Sequence, residues 1–302
     1  MVPGDLTTLG NVKAWLSTSN YNSTGIGVDP LLQQLITRQS NAIMAYLNRS
    51  WILPRDYVDV INGEGQFALH TTHWPVNSVS AVLMNGQPLQ LAPLDPFRSE
   101  GAYGYRVEPW NGAPPGGPQM IGLSGGRFCK GFLNIEIDYN AGYLVSKEPH
   151  IITPSLIRPT PTNVTIDTFQ PHGMWGQDID VTRGDGTPMT RVFTAPSASG
   201  EYQIIMPDEV VGTPPNTSLT PSGQYVFFGG DQGQTVLISY GYIPSALEQV
   251  AIELILERYM YRTRIGEVSR TVAQQVTARY DLSEIPAYAK HTLQAYMHIL
   301  MT

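Results

Sequence analysis

Two segments of this chain end in nearly the same way. Ile135-Glu136-Ile137-Asp138-Tyr139-Asn140-Ala141-Gly142-Tyr143 and Val236-Leu237-Ile238-Ser239-Tyr240-Gly241-Tyr242 each alternate like a strand and close on glycine and tyrosine. A period of two predicts half-buried strands, and the glycine predicts a turn. Only the second segment runs on, through Ile243-Pro244-Ser245, into a stretch of helical period. The pattern predicts one small domain opened after its last strand, with roughly ninety residues of β-structure inserted.

The chain has 302 residues, more than one hydrophobic core usually serves. The expected division is a discontinuous helical domain of residues 1–149 and 243–302, and an inserted all-β domain of residues 150–242. Charged residues make up only 14%, while Gly (29) and Pro (24) are plentiful, which favours turn-rich β-structure. A thinly charged surface also suits a protein packed against others. Residues 150–242 carry 3 basic and 8 acidic side chains, so most of the net −7 lies there. Phosphate binding needs clustered Lys and Arg, which makes that segment a poor nucleic-acid binder.

Cys129 is the single cysteine, so no intrachain disulfide and no Cys-rich metal site is expected. Met1-Val2-Pro3-Gly4-Asp5 lacks the basic and apolar regions of a signal peptide, and no apolar run reaches the ~20 residues that span a bilayer. The sequence therefore predicts a soluble protein made in a cytoplasm.

Thr8 predicts an N-cap for a short helix through Leu16, with Leu9, Val12 and Leu16 on one face. Asp29-Pro30 predicts a second helix start, a capping carboxylate followed by proline at the first helical position. Leu32, Leu35, Ile36, Ile43, Tyr46 and Leu47 carry that helix to about Asn48. Val58 and Val60 open a run of period two, and Asn85-Gly86 is a hairpin turn that needs positive φ twice. Residues 92–128 read as a long irregular loop, and residues 144–162, with Pro149, Pro154, Pro159 and Pro161, as a linker.

Candidate strands of the insert are 164–169, 179–182, 190–193, 202–206, 224–228 and 235–240. Their spacing predicts a small antiparallel barrel or sandwich. From Ser245 the helical period returns, with Leu247, Val250, Ala251, Leu254 and Ile255 as its stripe. Residues 266–280 are polar and poorly periodic. A last helix follows Pro286, with Tyr288, Leu293, Tyr296 and Leu300 as packing residues.

Several residues invite a chemical reading. Gly122-Leu123-Ser124-Gly125-Gly126 fits the nucleophile-elbow pattern, but that chemistry needs a helix after the serine, and here a strand is expected. His70 and His73 lie near a strand end, where odd spacing sends them to opposite faces. His291 and His298 sit two turns apart on the last helix, as packing or interface residues. Asp178 and Asp180 share a predicted strand face that a cation could use, although calcium asks for six or more oxygens. Arg183-Gly184-Asp185, followed by Gly186, reads as an ordinary turn. No catalytic residue, cofactor or metal ligand is therefore assigned.

The outer segments resemble the head–tail connector (adaptor, or neck) proteins of tailed bacteriophages. Leu9-Gly10-Asn11-Val12-Lys13-Ala14-Trp15-Leu16 looks like the family's first helix, and Ile36 through Leu47 with Arg49 like its second. Trp74-Pro75-Val76-Asn77-Ser78-Val79 with Asn85-Gly86 looks like its central hairpin. Tyr240-Gly241-Tyr242-Ile243-Pro244 leading to Glu257-Arg258-Tyr259 looks like its strand-to-helix junction, and Tyr280-Asp281-Leu282-Ser283-Glu284-Ile285-Pro286 fits its ending. The segment 144–235 departs from the family. Asp185 to Val192 and Gly223 to Phe228 in it are similar to a small β-module of other phage virion proteins.

The resemblance implies an α+β fold: a small helical adaptor domain of about four helices and a short β-hairpin region, carrying an inserted antiparallel β-barrel or β-sandwich domain. It implies a structural virion protein at the head–tail junction, made in the host bacterial cytoplasm. Copies of the chain would form a ring homo-oligomer, typically a dodecamer, beneath the portal protein. The ring would extend the DNA channel and dock the next neck or tail-completion protein. Genomic DNA would pass without sequence-specific binding, and no membrane would be involved. Arg258, Arg262, Arg264 and Arg270 form the one basic cluster. They either complement the helix C-terminus, with Glu253 and Glu257 as partners, or contact portal acids, a ring neighbour or DNA phosphate. An alternative expectation is a neck-mounted binding module whose insert recognises a glycan or host surface through Trp175, Tyr202, Tyr225 and Phe227.

Overall fold

The computed structural model describes residues 4–18, 28–92, 103–109, 118–152, 163–165, 172–205, 210–211, 218–219, 223–261, 269–272, 276–279 and 285–297. The chain divides into two compact units, Met1–Trp51 with Val145–Gln294 and Ile52–Leu144 with Ala295–Thr302. Residues 145–244 thus share a unit with the helices, where the sequence had suggested boundaries at 149/150 and 242/243.

Four helices are described: α1 (Leu9–Thr18), α2 (Val28–Leu47), α3 (Ser245–Tyr261) and α4 (Ala287–Gln294). Thr8 caps α1 as its sequence predicts, its Oγ1 accepting the Asn11 N–H at 3.1 Å. Helix α2 stops where Asn48 turns left-handed (φ 53°) and the Arg49 N–H returns to the Met44 carbonyl at 3.1 Å. Val12 and Leu16 of α1, Leu32 and Ile36 of α2, and Ile252, Ile255 and Tyr259 of α3 are buried in one cluster. Each such aliphatic side chain contributes about 1.5–3 kcal/mol by leaving water. Helix α3 also packs on the sheet strands that precede it and on α4. It is consequently apolar nearly all round, burying Leu247, Val250, Ala251 and Leu254 as well.

Between residues 52 and 144, the regular elements among the described residues of the second unit are all strands. Its strands are β1 (Arg55–Gly63), β2 (Ala68–His70), β3 (Val76–Met84), β4 (Gln87–Pro88), β5 (Gly104–Glu108), β6 (Met120–Ser124) and β7 (Gly131–Ala141). They form one sheet in the order β1-β7-β3-β4 and another in the order β2-β6-β5. Leu69, Val82, Tyr105, Ile121, Phe128, Ile135, Ile137 and Tyr139 make their shared core. Asn85 (φ 53°) and Gly86 (φ 75°) close the β3–β4 hairpin with the two positive φ angles their dipeptide predicts. At the end of β7, Gly142 takes φ 136°, and a Cβ there would lie 2.5 Å from the backbone of Leu53 and Pro54.

The first unit adds β8 (Leu144–Ile151), β9 (Asn163–Thr165), β10 (Gly173–Arg183), β11 (Thr190–Val192), β12 (Glu201–Ile205), β13 (Val210–Val211), β14 (Ser218–Leu219), β15 (Gln224–Phe227), β16 (Thr235–Pro244), β17 (Ser269–Val272) and β18 (Val276–Arg279). One sheet runs β10-β16-β8 and a second β11-β12-β15-β9. Trp175, Val181, Val236, Ile238 and Tyr240 from the first meet Tyr202, Ile204, Tyr225 and Phe227 from the second. Within the second sheet β11 pairs parallel to β12. The pairs β13–β14 and β17–β18 stand as separate antiparallel ribbons.

These observations correct the expected fold class. The protein is mostly β, with several separate sheets and no closed barrel among the described residues, rather than a small helical adaptor domain carrying a β-insert. Three physical reasons account for the difference. The run from 55 to 141, read as a short hairpin region with a loop, holds seven strands among its described residues, because β5 and β6 are five-residue strands hidden among glycines and prolines. Residues 144–151, read as linker for their proline, form the strand β8 at a sheet edge, where a missing N–H is tolerated. Gly241, read as a turn, lies inside β16 beside a bulge that sets it opposite Gln177.

Candidate functional site

The basic cluster falls only partly within the described residues. Arg258 is half-buried in the last turn of α3, Arg262 and Arg264 lie outside the described residues, and Arg270 belongs to the β17 ribbon. The polar centre at the opposite end of α3 is better defined.

Thr8 fixes the first turn of α1 and so aims Asn11, whose amide donates to Glu248 Oε1 at 2.7 Å. The Thr7 hydroxyl donates to the same oxygen at 3.3 Å. Glu248 sits in the first turn of α3, where a negative charge meets the positive end of the helix dipole. Yet it is only 3% exposed. Burial pushes its carboxyl above the usual carboxylate range, and the bonds from Asn11 and Thr7 oppose that rise without cancelling it. Around it lies a cavity of about 450 Å³ lined by Asn11, Ala14, Trp15, Ser245, Gln249 and Ile252.

Sequence reasoning missed Glu248. Ser245 and Glu248 have the spacing of a capping box, which suggests a solvated carboxylate. The available signal was its position at i, i+4, i+7 and i+11 with Ile252, Ile255 and Tyr259, the buried face of α3.

Other candidates resolve into structural parts. Ser124 ends β6, and residues 125–130 carry a turn and no helix, so the nucleophile elbow lacks its context. The Ser124 hydroxyl accepts from Arg106 at 3.0 Å. The β10 bulge between Asp178 and Asp180 breaks their shared face. Asp178 turns inward and accepts from the hydroxyls of Tyr202 (3.1 Å) and Tyr225 (3.2 Å). Burial raises its carboxyl despite Arg191 at 3.6 Å. Arg183 is held by Ser199 at 2.7 Å and Asp231 at 3.6 Å, so the Arg183-Gly184-Asp185 turn is braced from within. Trp175, Tyr202, Tyr225 and Phe227 are all buried and offer no open face to a glycan.

His73 stacks on Tyr57 with ring centres 3.7 Å apart, and its backbone N–H donates to the Tyr139 hydroxyl at 3.0 Å. That hydroxyl donates to Asp59 at 2.8 Å. Burial and the Asp59 carboxylate hold the Tyr139 phenol far above its usual value, so it acts as a neutral rivet rather than a nucleophile. His70 is exposed at the end of β2, His291 lies on α4, and His298 falls outside the described residues. Among the described residues no three His, Cys, Asp or Glu side chains converge as metal ligands.

Neither a protein-family model nor a curated protein sequence matches the chain. Among the described residues no helix is long and apolar enough to cross a membrane.

Proposed function

We propose that this chain is a structural subunit of a tailed-phage neck, repeated as an oligomeric ring between portal and tail. The ring extends the DNA channel and offers a docking platform to the next neck or tail component. The observation that carries this reading is the joint core of α1, α2 and α3. The segments that resemble the connector family's first helix, second helix and strand-to-helix junction lie far apart in sequence. Val12, Leu16, Ile36, Ile252, Ile255 and Tyr259 bring them into one cluster. Strand β16 feeds α3 without an intervening loop, as that junction requires.

The surface supports a life in contact with other chains. On the outward face of the edge strand β1, Val58 is 61% and Val60 49% exposed. Their neighbours on β7 are Asp138 and Glu136. Apolar residues bordered by acids suit a protein interface and repel DNA phosphate, which agrees with passage of DNA without gripping. Repeating one heterologous contact closes a ring.

Gold-labelled antibody against the chain, applied to intact and gently disrupted particles, tests this placement. Label at the head–tail junction is the expected result. Label confined to capsid, tail tip or unassembled material contradicts it.

A further inference from the structure

We propose that a bulge near the start of β7 is a docking knob that seats on the outward face of the β1-β7-β3 sheet of a second copy of the chain. The proposal deepens the ring reading by naming the contact that repeats, and it rests on that reading only for closure into a ring. Both halves of the contact lie in the second compact unit.

The knob exposes apolar side chains at a cost in backbone strain. Between the pairs Ile61–Ile135 and Gly63–Gly131, Asn62 of β1 faces three residues of β7, so β7 extrudes two residues more than a regular ladder holds. Phe132 is 83% and Leu133 52% exposed, and Leu133 takes φ 46°, an unfavourable angle for a residue with a Cβ. Three asparagines fix the bulge. Asn62 Oδ1 accepts the Leu133 N–H at 2.7 Å, and Asn134 Oδ1 accepts the Gly63 N–H at 2.9 Å. The Asn134 amide donates to Asn85 Oδ1 at 3.1 Å. Neither Phe132 nor Leu133 adds to the core of this unit, so the strain serves a contact made outside it.

The rim of the knob is basic. Arg127 lays its guanidinium over the Phe67 ring, 3.7 Å from its centre, and donates to the Gly65 carbonyl at 3.1 Å. Lys130 is exposed just before β7. Residues 62–67 and 127–134 carry two basic side chains and one acidic, a positive tip on a chain of net −7.

The complementary surface belongs to the same sheet. Directly paired residues share a face, so Val58, Asp138 and Ala81 form one row and Val60, Glu136 and Leu83 the next. In each row an acid lies between apolar neighbours. Asp138 Oδ1 is covered and has no hydrogen-bond partner among the described residues. The apolar flanks suit Phe132 and Leu133, and a lysine ammonium supplies the countercharge to Asp138 and Glu136. Along β7, Phe132 stands four positions from Glu136 and six from Asp138, about 13 and 20 Å of strand, so the knob does not reach the face of its own copy. Knob on face is a heterologous contact, the kind that repeats into a ring. An anionic membrane is the weaker occupant, because two apolar residues on a fixed bulge bury little in a bilayer and the acidic rows beside them are repelled.

The test mixes two full-length variants in a Cys129→Ser background, one carrying Phe132→Cys and the other Val60→Cys. Mild oxidation is expected to give a disulfide-linked heterodimer joining positions 132 and 60, identified by mass spectrometry. Phe132→Cys mixed with Ile151→Cys, a similarly exposed site in the other unit, sets the collision background, and a yield at least tenfold above it is expected. Lys130→Glu in the knob copy is expected to remove the excess, and Glu136→Lys in the face copy to restore it. Circular dichroism verifies that each variant is folded. A yield at background, or one indifferent to Lys130→Glu, would overturn the proposal. So would capture of the chain by phosphatidylglycerol vesicles, lost in Phe132→Ser, with the cross-link at background. Gold label at the neck without the cross-link would sink this contact and spare the connector reading. The cross-link with label elsewhere would do the reverse.

Discussion

The indole N–H of Trp175 donates to the hydroxyl of Tyr225 at 3.0 Å, across the gap between two facing sheets. The rings meet edge-on at 86°, and the Tyr225 hydroxyl passes its own proton toward Asp178 at 3.2 Å. This chain of donors explains why the sandwich tolerates a carboxylate between its sheets. Tyr225→Phe leaves the indole N–H without its acceptor and removes one of the two hydroxyls that serve Asp178. A loss of about 1–3 kcal/mol is expected, measured by urea unfolding. A variant as stable as the parent would contradict the assigned network.

Glu248 makes stability depend on pH in a defined sense. Its folded carboxyl holds a proton more tightly than the unfolded one. The stability it contributes is therefore fully present below the unfolded carboxyl range and is lost as pH rises through the folded value. Glu248→Gln keeps an acceptor for Asn11 and Thr7 without the buried charge. Melting curves at several pH values are expected to show the variant at least as stable as the parent at pH 7, with its advantage shrinking toward pH 4. A variant that is markedly less stable at pH 7 and matches the parent only in acid contradicts this.

Gly142 is required by both its φ of 136° and the backbone of Leu53 and Pro54 close to where a Cβ would stand. Gly142→Ala forces the backbone at Leu53–Pro54, just before β1, or at the end of β7 to shift, at about 1–3 kcal/mol. Thermal melting checks this, and an unchanged midpoint would show that the strand end accommodates a side chain.

Val58 and Val60 face outward on β1 and support no core. Val58→Lys with Val60→Lys is expected to change folding stability by no more than about 0.5 kcal/mol per site. Incorporation into particles, followed by quantitative mass spectrometry of purified virions, is expected to fall sharply. Full incorporation of the double variant would place the ring contact elsewhere.

Local chemistry was legible in the sequence wherever a few residues decide it. Thr8 caps α1, Asn85-Gly86 makes the hairpin, and the strands at 190–192, 201–205 and 224–227 and the start of β16 fall close to where alternation put them, although β16 runs on past the expected end at 240. Long-range allegiance was not legible. Nothing in residues 145–151 announces that they pair at the edge of the β10-β16-β8 sheet, because Pro149 and Lys147 with φ 54° disguise the alternation. Of the residues expected to pack in the last helix, Leu293 is buried and Tyr288 is 52% exposed, and Ala289 joins Leu293 on the buried side of α4. Glu248 was hidden because α3 is buried on nearly every side, which blurs the periodicity that separates floor from surface.

Electron cryomicroscopy of whole particles, with the chain traced into density at the neck, bears most directly on the proposed role. A closed ring of identical copies is expected between portal and tail, surrounding the DNA path. A neck built entirely of other chains, with this protein elsewhere or absent from the particle, would contradict it.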